Sequence, residues 1–368
     1  MPIFLFVLLI TLYLIQNWSK KNALKGINFH YKCTKQLVEP DESLEVVTTV
    51  LNQSSRLVPF LRLEEALPAE TTILQDQILV RTNIAGKSLR HISSVYLMPK
   101  SKLERRLAIS LPKRGCYLFR GADLTGGDFL GLNEERKTFS SLNEVVVYPK
   151  AANMQEVQEL LGGFLGDVSV RRFMMEDPVL TAGARDYTGS EPLNQISWKH
   201  SARANKLMVK QFDYTLEPMV SVLLDVNMPE GDEGKAQVLE QCFSLTRSVC
   251  QQLEQKGIAY DFISNTTAAG VITKQQYLTE GLGKAHLSGI LEKLGRASYL
   301  AGEPFATTAK KLTRRQEKNR STIIIMPKRD EHKRQFAQQL QKINGGSLIF
   351  IYGEEHSDDI SIRTETAM

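Results

Sequence analysis

The sequence is poor in the groups from which active sites are most often built. Its four cysteines, Cys33, Cys116, Cys242 and Cys250, form no Cys-x-x-Cys pair and have no histidine at zinc-ligand spacing, which excludes a zinc ribbon and a dithiol redox motif. The six histidines are scattered, and neither a Gly-x-Ser-x-Gly elbow nor a His-Glu-x-x-His helix occurs. A glycine loop able to cradle phosphates is also missing. "GLGKA" at Gly281 lacks the Walker spacing and has no Ser or Thr after its lysine, so it reads as a turn before a helix. Charge of one sign is scarce too: 46 Lys and Arg against 41 Asp and Glu leave a net +5 over 368 residues, well short of a protein that mainly coats nucleic acid. That balance suits a membrane surface or an acidic protein partner.

Long apolar runs are absent except at the start, where "PIFLFVLLITLYLIQNW" stands alone. Roughly 17 helical residues at 1.5 Å each span about 26 Å, slightly less than a hydrocarbon core. Trp18 suits the headgroup level, and Lys20, Lys21 and Lys25 can snorkel from the interface. These features predict an anchor over residues 1–18, a single pass through the cell membrane, and a cytoplasmic location for the bulk of the chain. A cleaved signal peptide is the rival, but a basic n-region and a small-x-small cleavage site are both missing; a buried core helix is the third reading. Cys242 and Cys250 fall eight residues apart on one predicted helix, about 12 Å and too far to bridge. Buried free thiols in a reducing compartment are the expectation.

What is present divides into two halves. Apolar residues make up 42% of the chain, enough for two cores. Over residues 27–150, runs such as "LEVVTTVLN", "VPFLRLEEAL" and "NEVVVYP" are β-branched or aromatic and broken by Pro, Gly, Asn and Ser, which predicts an all-β sandwich of Ig-like size. After about Ala151 the period changes. In "KAQVLEQCFSLTRSVCQQLEQK" the stripe Val238, Leu239, Cys242, Leu245, Thr246, Val249 and Leu253 predicts a helix that Gly257 stops. Strands "MVSVLLDV", "IAYDFIS", "STIIIMP" and "SLIFIYG" alternate with helices, predicting a largely parallel sheet in a Rossmann-like α/β domain over 215–355, followed by a tail, 356–368. Residues 168–214 link the halves.

Asp225 ends the first strand of that α/β half, at the carboxyl edge where such sheets bind ligands, with Asn227 two residues on. A von Willebrand factor A-type metal site has Asp-x-Ser-x-Ser here, its oxygens converging on magnesium. In "DVNMP" Asn227 still offers an oxygen, but Pro229 has none. Either Asp225 caps the following loop, or Asp225 and Asn227 form a weak, incomplete magnesium site. The basic run "KKLTRRQEKNR" from Lys310 to Arg320 reads as a solvated connector or as a contact for anionic lipid or an acidic partner, and it lacks the interleaved aromatics of a nucleic-acid site.

The linking segment carries the most specific signal. In "RDYTGSEPLNQISWKHSAR", Arg185, Tyr187, Ile196, Trp198, Lys199, Ser201, Ala202 and Arg203 fall in register with a pattern of Arg-x-Tyr, Gly-Asp, Arg, Ile-x-Trp and Ser/Thr-Ala-Arg. The chain thereby resembles the bacterial family catalogued as domain of unknown function 58. The family's Gly-Asp falls on Ser190 and Glu191 and its middle Arg on Asn194, so no role of that Arg carries over. "KRGCYLFRGADLTGGDFLGL" is similar to a second family segment, with Leu130 in place of an aromatic between Asp128 and Gly131.

The resemblance implies a membrane segment, a β-sandwich and a von Willebrand factor A-like domain. It also implies a partner, a MoxR-type AAA+ ATPase, often with a transglutaminase-like membrane protein nearby. The expected function is a membrane-anchored, non-catalytic adaptor or co-chaperone in envelope protein maturation, without nucleic acid or a firm cofactor. The alternative is a metal-dependent hydrolase using Asp225, which the lack of a second acid or base disfavours. For the Trp198 segment itself, Ile196 and Trp198 two apart suggest an extended strap with both side chains buried on one face, and an ATPase contact surface is the other reading.

Overall fold

In the computed structural model, residues 6–7, 10–11, 24–74, 80–82, 88–127, 134–174, 181–212, 219–228, 231, 234–270, 277–313 and 320–354 are described. The chain divides into two compact units. The first comprises 1–150 with 268–274 and 292–297; the second comprises 151–267, 275–291 and 298–368.

The first unit is built from strands β1 (Ile27–Cys33), β2 (Leu37–Val38), β3 (Leu44–Asn52), β4 (Val58–Pro68), β5 (Thr72–Ile73), β6 (Val80–Thr82), β7 (Ser88–Leu97), β8 (Lys102–Ser110), β9 (Gly115–Gly127) and β10 (Glu134–Val147). They form a four-stranded sheet, β1-β3-β8-β5, and a six-stranded one, β2-β10-β9-β4-β7-β6. Strict alternation decides which side chains point inward. In β3, Leu44, Val46, Thr48, Val50 and Asn52 are buried and the residues between them are not. Residues from both sheets share one cluster, among them Tyr31, Leu44, Val46, Leu67, Leu107, Ile109, Phe119 and Val145. Where β9 meets β10 the register shifts between Ser140 and Asn143; Gly121 sits opposite with φ +99°, where a Cβ would strike the Phe139 carbonyl.

The second unit begins with helix α1 (Met154–Met174) and strand β11 (Thr181–Asp186). Then come α2 (Trp198–Ala204), β12 (Met208–Phe212), β13 (Met219–Leu224), α3 (Lys235–Gln255), β14 (Ala259–Ser264), β15 (Thr266–Ala268), β16 (Tyr277–Gly281), α4 (Lys284–Arg296), β17 (Ala297–Ala301), α5 (Phe305–Thr313), β18 (Arg320–Met326), α6 (Glu331–Asn344) and β19 (Gly345–Tyr352), of which Ala268, residues 292–296 and Ala297 are counted in the first unit. Its main sheet has the order β16-β14-β13-β18-β19. Every residue of β18 is buried, which follows from a central strand covered on both faces. One such face carries the cluster of Leu223, Ile263, Ile324 and Met326 with Phe305 and Ala309 of α5 and Ala337 of α6.

Several expectations are corrected here. The proposed fold class of a membrane helix, an Ig-sized sandwich and a Rossmann-like von Willebrand factor A-type domain does not hold. The chain is mainly strands distributed over several sheets. In the second half the sheet is mixed, because β16 runs antiparallel to β14 at its edge. Separate two-stranded sheets, β11-β12 and β15-β17, interrupt the expected strand-helix alternation. The short polar runs "TTA" and "YLTEG" lack the continuous apolar character by which buried parallel strands are recognised, so pattern alone misses them.

The single-pass anchor and the cytoplasmic location deduced from it are also overturned. No helix among the described residues is long and apolar enough to cross a membrane. The two 21-residue helices are interrupted by charge: α1 by Glu156, Glu159, Asp167, Arg171 and Arg172, and α3 by Lys235, Glu240, Arg247 and Glu254. Of residues 1–18, Phe6, Val7, Ile10 and Thr11 are described, as helical; the rest of the run lies outside the described residues. Pro229, the turn from Asp128 to Gly131, most of the basic run (314–319) and the tail also lie outside them.

Candidate functional site

Two places in the second unit answer to the residues singled out by sequence. The first is the carboxyl edge of the main sheet. Asp225 follows β13 directly and is fully buried, its own N–H donating to the Ile325 carbonyl at 2.8 Å. Both carboxylate oxygens are engaged. Oδ1 accepts from the Asn227 backbone N–H at 3.0 Å and from Asn265 Nδ2 at 2.6 Å, while Oδ2 accepts from Lys333 Nζ at 2.7 Å. Asn265, just beyond β14, returns its own oxygen to the Val226 N–H at 3.0 Å. Asn227 takes part through its backbone: its N–H binds Asp225, and its carbonyl accepts from Lys333 Nζ at 3.2 Å.

Beside this cluster lies a cleft of about 430 Å³ lined by Asn265, Thr266, Tyr277, Glu303 and Lys311 among others. Its charged pair is self-satisfied: Lys311 Nζ lies 2.6 and 2.8 Å from the two Glu303 carboxylate oxygens, and Thr308 Oγ1 donates to one of them at 2.6 Å. Burial works against ionisation of Glu303, yet the bonds from Lys311 and Thr308 hold its carboxyl below the usual range.

A magnesium ion does not fit the groups at Asp225. The oxygen it would claim faces an ammonium, the other already accepts two N–H donors, and no group of three or more His, Cys, Asp or Glu able to hold a metal occurs among the described residues. The side chains that hydrogen-bond the Asp225 carboxylate are Asn265 and Lys333. Sequence reading missed Asn265 and Lys333. The signal for Lys333 is its position in the first turn of α6, where a cation opposes the helix dipole unless a carboxylate holds it.

The second place is the signature segment. Here β11 and β12 pair antiparallel, Arg185 opposite Val209, and the connection between them is tied back by backbone bonds: Tyr187 N–H to the Leu207 carbonyl at 3.1 Å and Ser197 N–H to the Met208 carbonyl at 2.8 Å. Arg185 Nη1 binds Glu191 Oε1 at 2.5 Å. Thr188 donates to Glu191 through both its hydroxyl, at 2.7 Å, and its N–H, at 3.1 Å. These bonds, those of Thr188 foremost, bring the Glu191 carboxyl down to about 2. Ser197 Oγ lies 2.9 Å from His200 Nδ1, Ser201 Oγ donates to the Ser197 carbonyl at 2.9 Å, and the Met208 N–H donates to Ser201 Oγ at 2.8 Å.

The strap reading needs Trp198 buried beside Ile196, and the structure separates them. Ile196 is buried, but the chain turns helical just after Ser197, so Trp198 opens α2 and is 67% exposed. The two-residue repeat of an extended segment no longer applies once the backbone is helical. Leu193 (71% exposed) and Leu207 (45%) are also exposed in this segment. Lys199, Ala202 and Arg203 are exposed on α2, Ser201 is half-buried and bonded inward, and Tyr187 is half-buried.

No known family profile matches the chain. It is 20% identical over 365 residues to the uncharacterized protein YeaD of Bacillus subtilis strain 168, covering 98% of this chain and 82% of that one. Among solved structures, the CARDB domain of the Pyrococcus furiosus PF1109 protein is 16% identical, over 33% of this chain and 91% of that one, with a TM-score of 0.22. A non-cellulosomal cohesin from Archaeoglobus fulgidus is 10% identical over 36% and 96%, with a TM-score of 0.23. Likenesses at such TM-scores support neither a fold nor a function for this chain.

Proposed function

We propose that this chain is a non-catalytic adaptor that presents the α2 segment to a MoxR-type AAA+ ATPase. The observation that carries the reading is the 67% exposure of Trp198 on a backbone tied by hydrogen bonds among Ser197, Ser201 and Met208. An exposed tryptophan with Lys199 and Arg203 on the same short helix has the composition of a binding hot spot, and pre-ordering lowers the entropic cost of association. The resemblance of this segment to the family signature supports the choice of partner, and the neutralised Asp225 supports an absence of catalysis.

The test is a pull-down of a purified MoxR-type ATPase by the wild-type chain and by Trp198→Ala. A hot-spot tryptophan contributes about 2 kcal/mol or more, so binding should weaken roughly 30-fold. Melting should be unchanged, because little of the side chain is buried. A wild-type chain that fails to retain the ATPase, or a variant that binds as well as wild type, refutes the proposal.

A further inference from the structure

The Lys333 ammonium lies against three oxygens: Asp225 Oδ2 at 2.7 Å, the Asn227 carbonyl at 3.2 Å and Asp330 Oδ2 at 4.0 Å. A buried carboxylate, a backbone carbonyl and a further carboxylate are the set a hard divalent cation collects. The lysine is delivered there by its own helix: Asp330 caps α6 by accepting the Lys333 N–H at 3.2 Å, which sets the lysine in the first turn. Its Nζ also lies 5.9 Å from the centre of the Phe305 ring. The Lys333 side chain is 17% exposed and that of Asp225 0%, so the pair is shielded from bulk water.

We propose that Lys333 is a built-in cation that takes the place of a divalent metal at the carboxyl edge of this sheet and makes the unit metal-independent. Asp225 is fully buried, and the ammonium 2.7 Å away offsets its charge where water cannot. A tethered ammonium supplies that offset at every metal concentration. Removing the ammonium while leaving the oxygens should therefore open a cation site where none exists in the wild type. This inference does not rest on the adaptor reading, and its test involves no ATPase.

Thermal melting of the full chain is followed in chelator and then in magnesium, manganese or calcium, at matched ionic strength. Wild type should show no metal-dependent shift. Lys333→Ala should melt lower in chelator by on the order of 10 °C and recover a substantial part of that loss on adding divalent cation. The recovery should be absent from Asp225→Asn/Lys333→Ala. Should Lys333→Ala fail to fold in chelator, folding of the double variant there identifies the unpaired Asp225 charge as the cause. A metal-dependent rise in wild-type melting that Asp225→Asn abolishes overturns the proposal, as does a folded Lys333→Ala that ignores all three cations.

Discussion

Glu65 shows how a single inward position can be costly and still be kept. Alternation along β4 points it between the sheets of the first unit at 0% exposure, where an apolar residue would be expected. There it meets Arg105 of β8, Thr48 of β3 and His91 of β7, whose Nδ1 is 3.0 Å from Glu65 Oε2. Burial alone would raise the carboxyl, but the bond from His91, the Arg105 guanidinium and the Thr48 hydroxyl outweigh it and hold Glu65 below its ordinary 4.5. A carboxylate depressed on folding stabilises the protein fully above the unfolded value and loses that contribution as pH falls through the folded one. Glu65→Gln leaves Arg105 without its counter-charge, so at neutral pH it should cost about 3–5 kcal/mol in urea unfolding. The gap between wild type and variant should narrow once the pH drops below about 4.5. A gap that stays constant down to strongly acidic pH would show that Glu65 is not the titrating group.

At the scale of elements, α2 is seven residues long and too short to persist by itself in water. Its termini and the strands beside it hold it. At its end Asn205 adopts φ 55° and ψ 28°, a left-handed conformation that asparagine tolerates and β-branched residues do not. Asn205→Val should therefore cost about 1–2 kcal/mol locally, seen as a roughly 5- to 30-fold loss of hydrogen-exchange protection at the Ser201 amide. Asn205→Gly should leave that protection near wild type. Equal protection in Asn205→Val would mean that β11 and β12, not the cap, define the helix end. If the proposed adaptor role holds, the valine variant should also bind a MoxR-type ATPase more weakly, because α2 carries Trp198.

For the whole molecule, the four thiols report on the two units separately, since Cys33 and Cys116 belong to the first and Cys242 and Cys250 to the second. Burial pushes Cys33 up to about 12; burial and the Glu144 carboxylate do the same for Cys116, and burial raises Cys242 and Cys250 further. Alkylation of the native protein near neutral pH should be slow at all four and slowest at Cys242 and Cys250. Rising urea should release each pair with its own unit, as mass spectrometry of quenched samples would show. Rapid labelling of Cys242 in native buffer would contradict the core placement of α3. That placement was legible beforehand, because the stripe from Val238 to Leu253 has a helical period that any packed helix must satisfy. Strands such as β3 and β18 were legible for the same reason, their burial patterns being local properties of the chain. The sequence by itself thus determined the strands and helices whose buried faces follow a local period, such as β3, β18 and α3, and it carries no zinc, dithiol or phosphate-loop motif. Tertiary structure decided the rest. The mixed sheet depends on β16 finding the free edge of β14, the exposure of Trp198 depends on what α2 packs against, and the charge on Asp225 is answered by a lysine 108 positions away. Hydrophobic period is written between near neighbours in the chain, whereas edge pairing, solvent exposure and charge compensation are set by groups that only folding brings together.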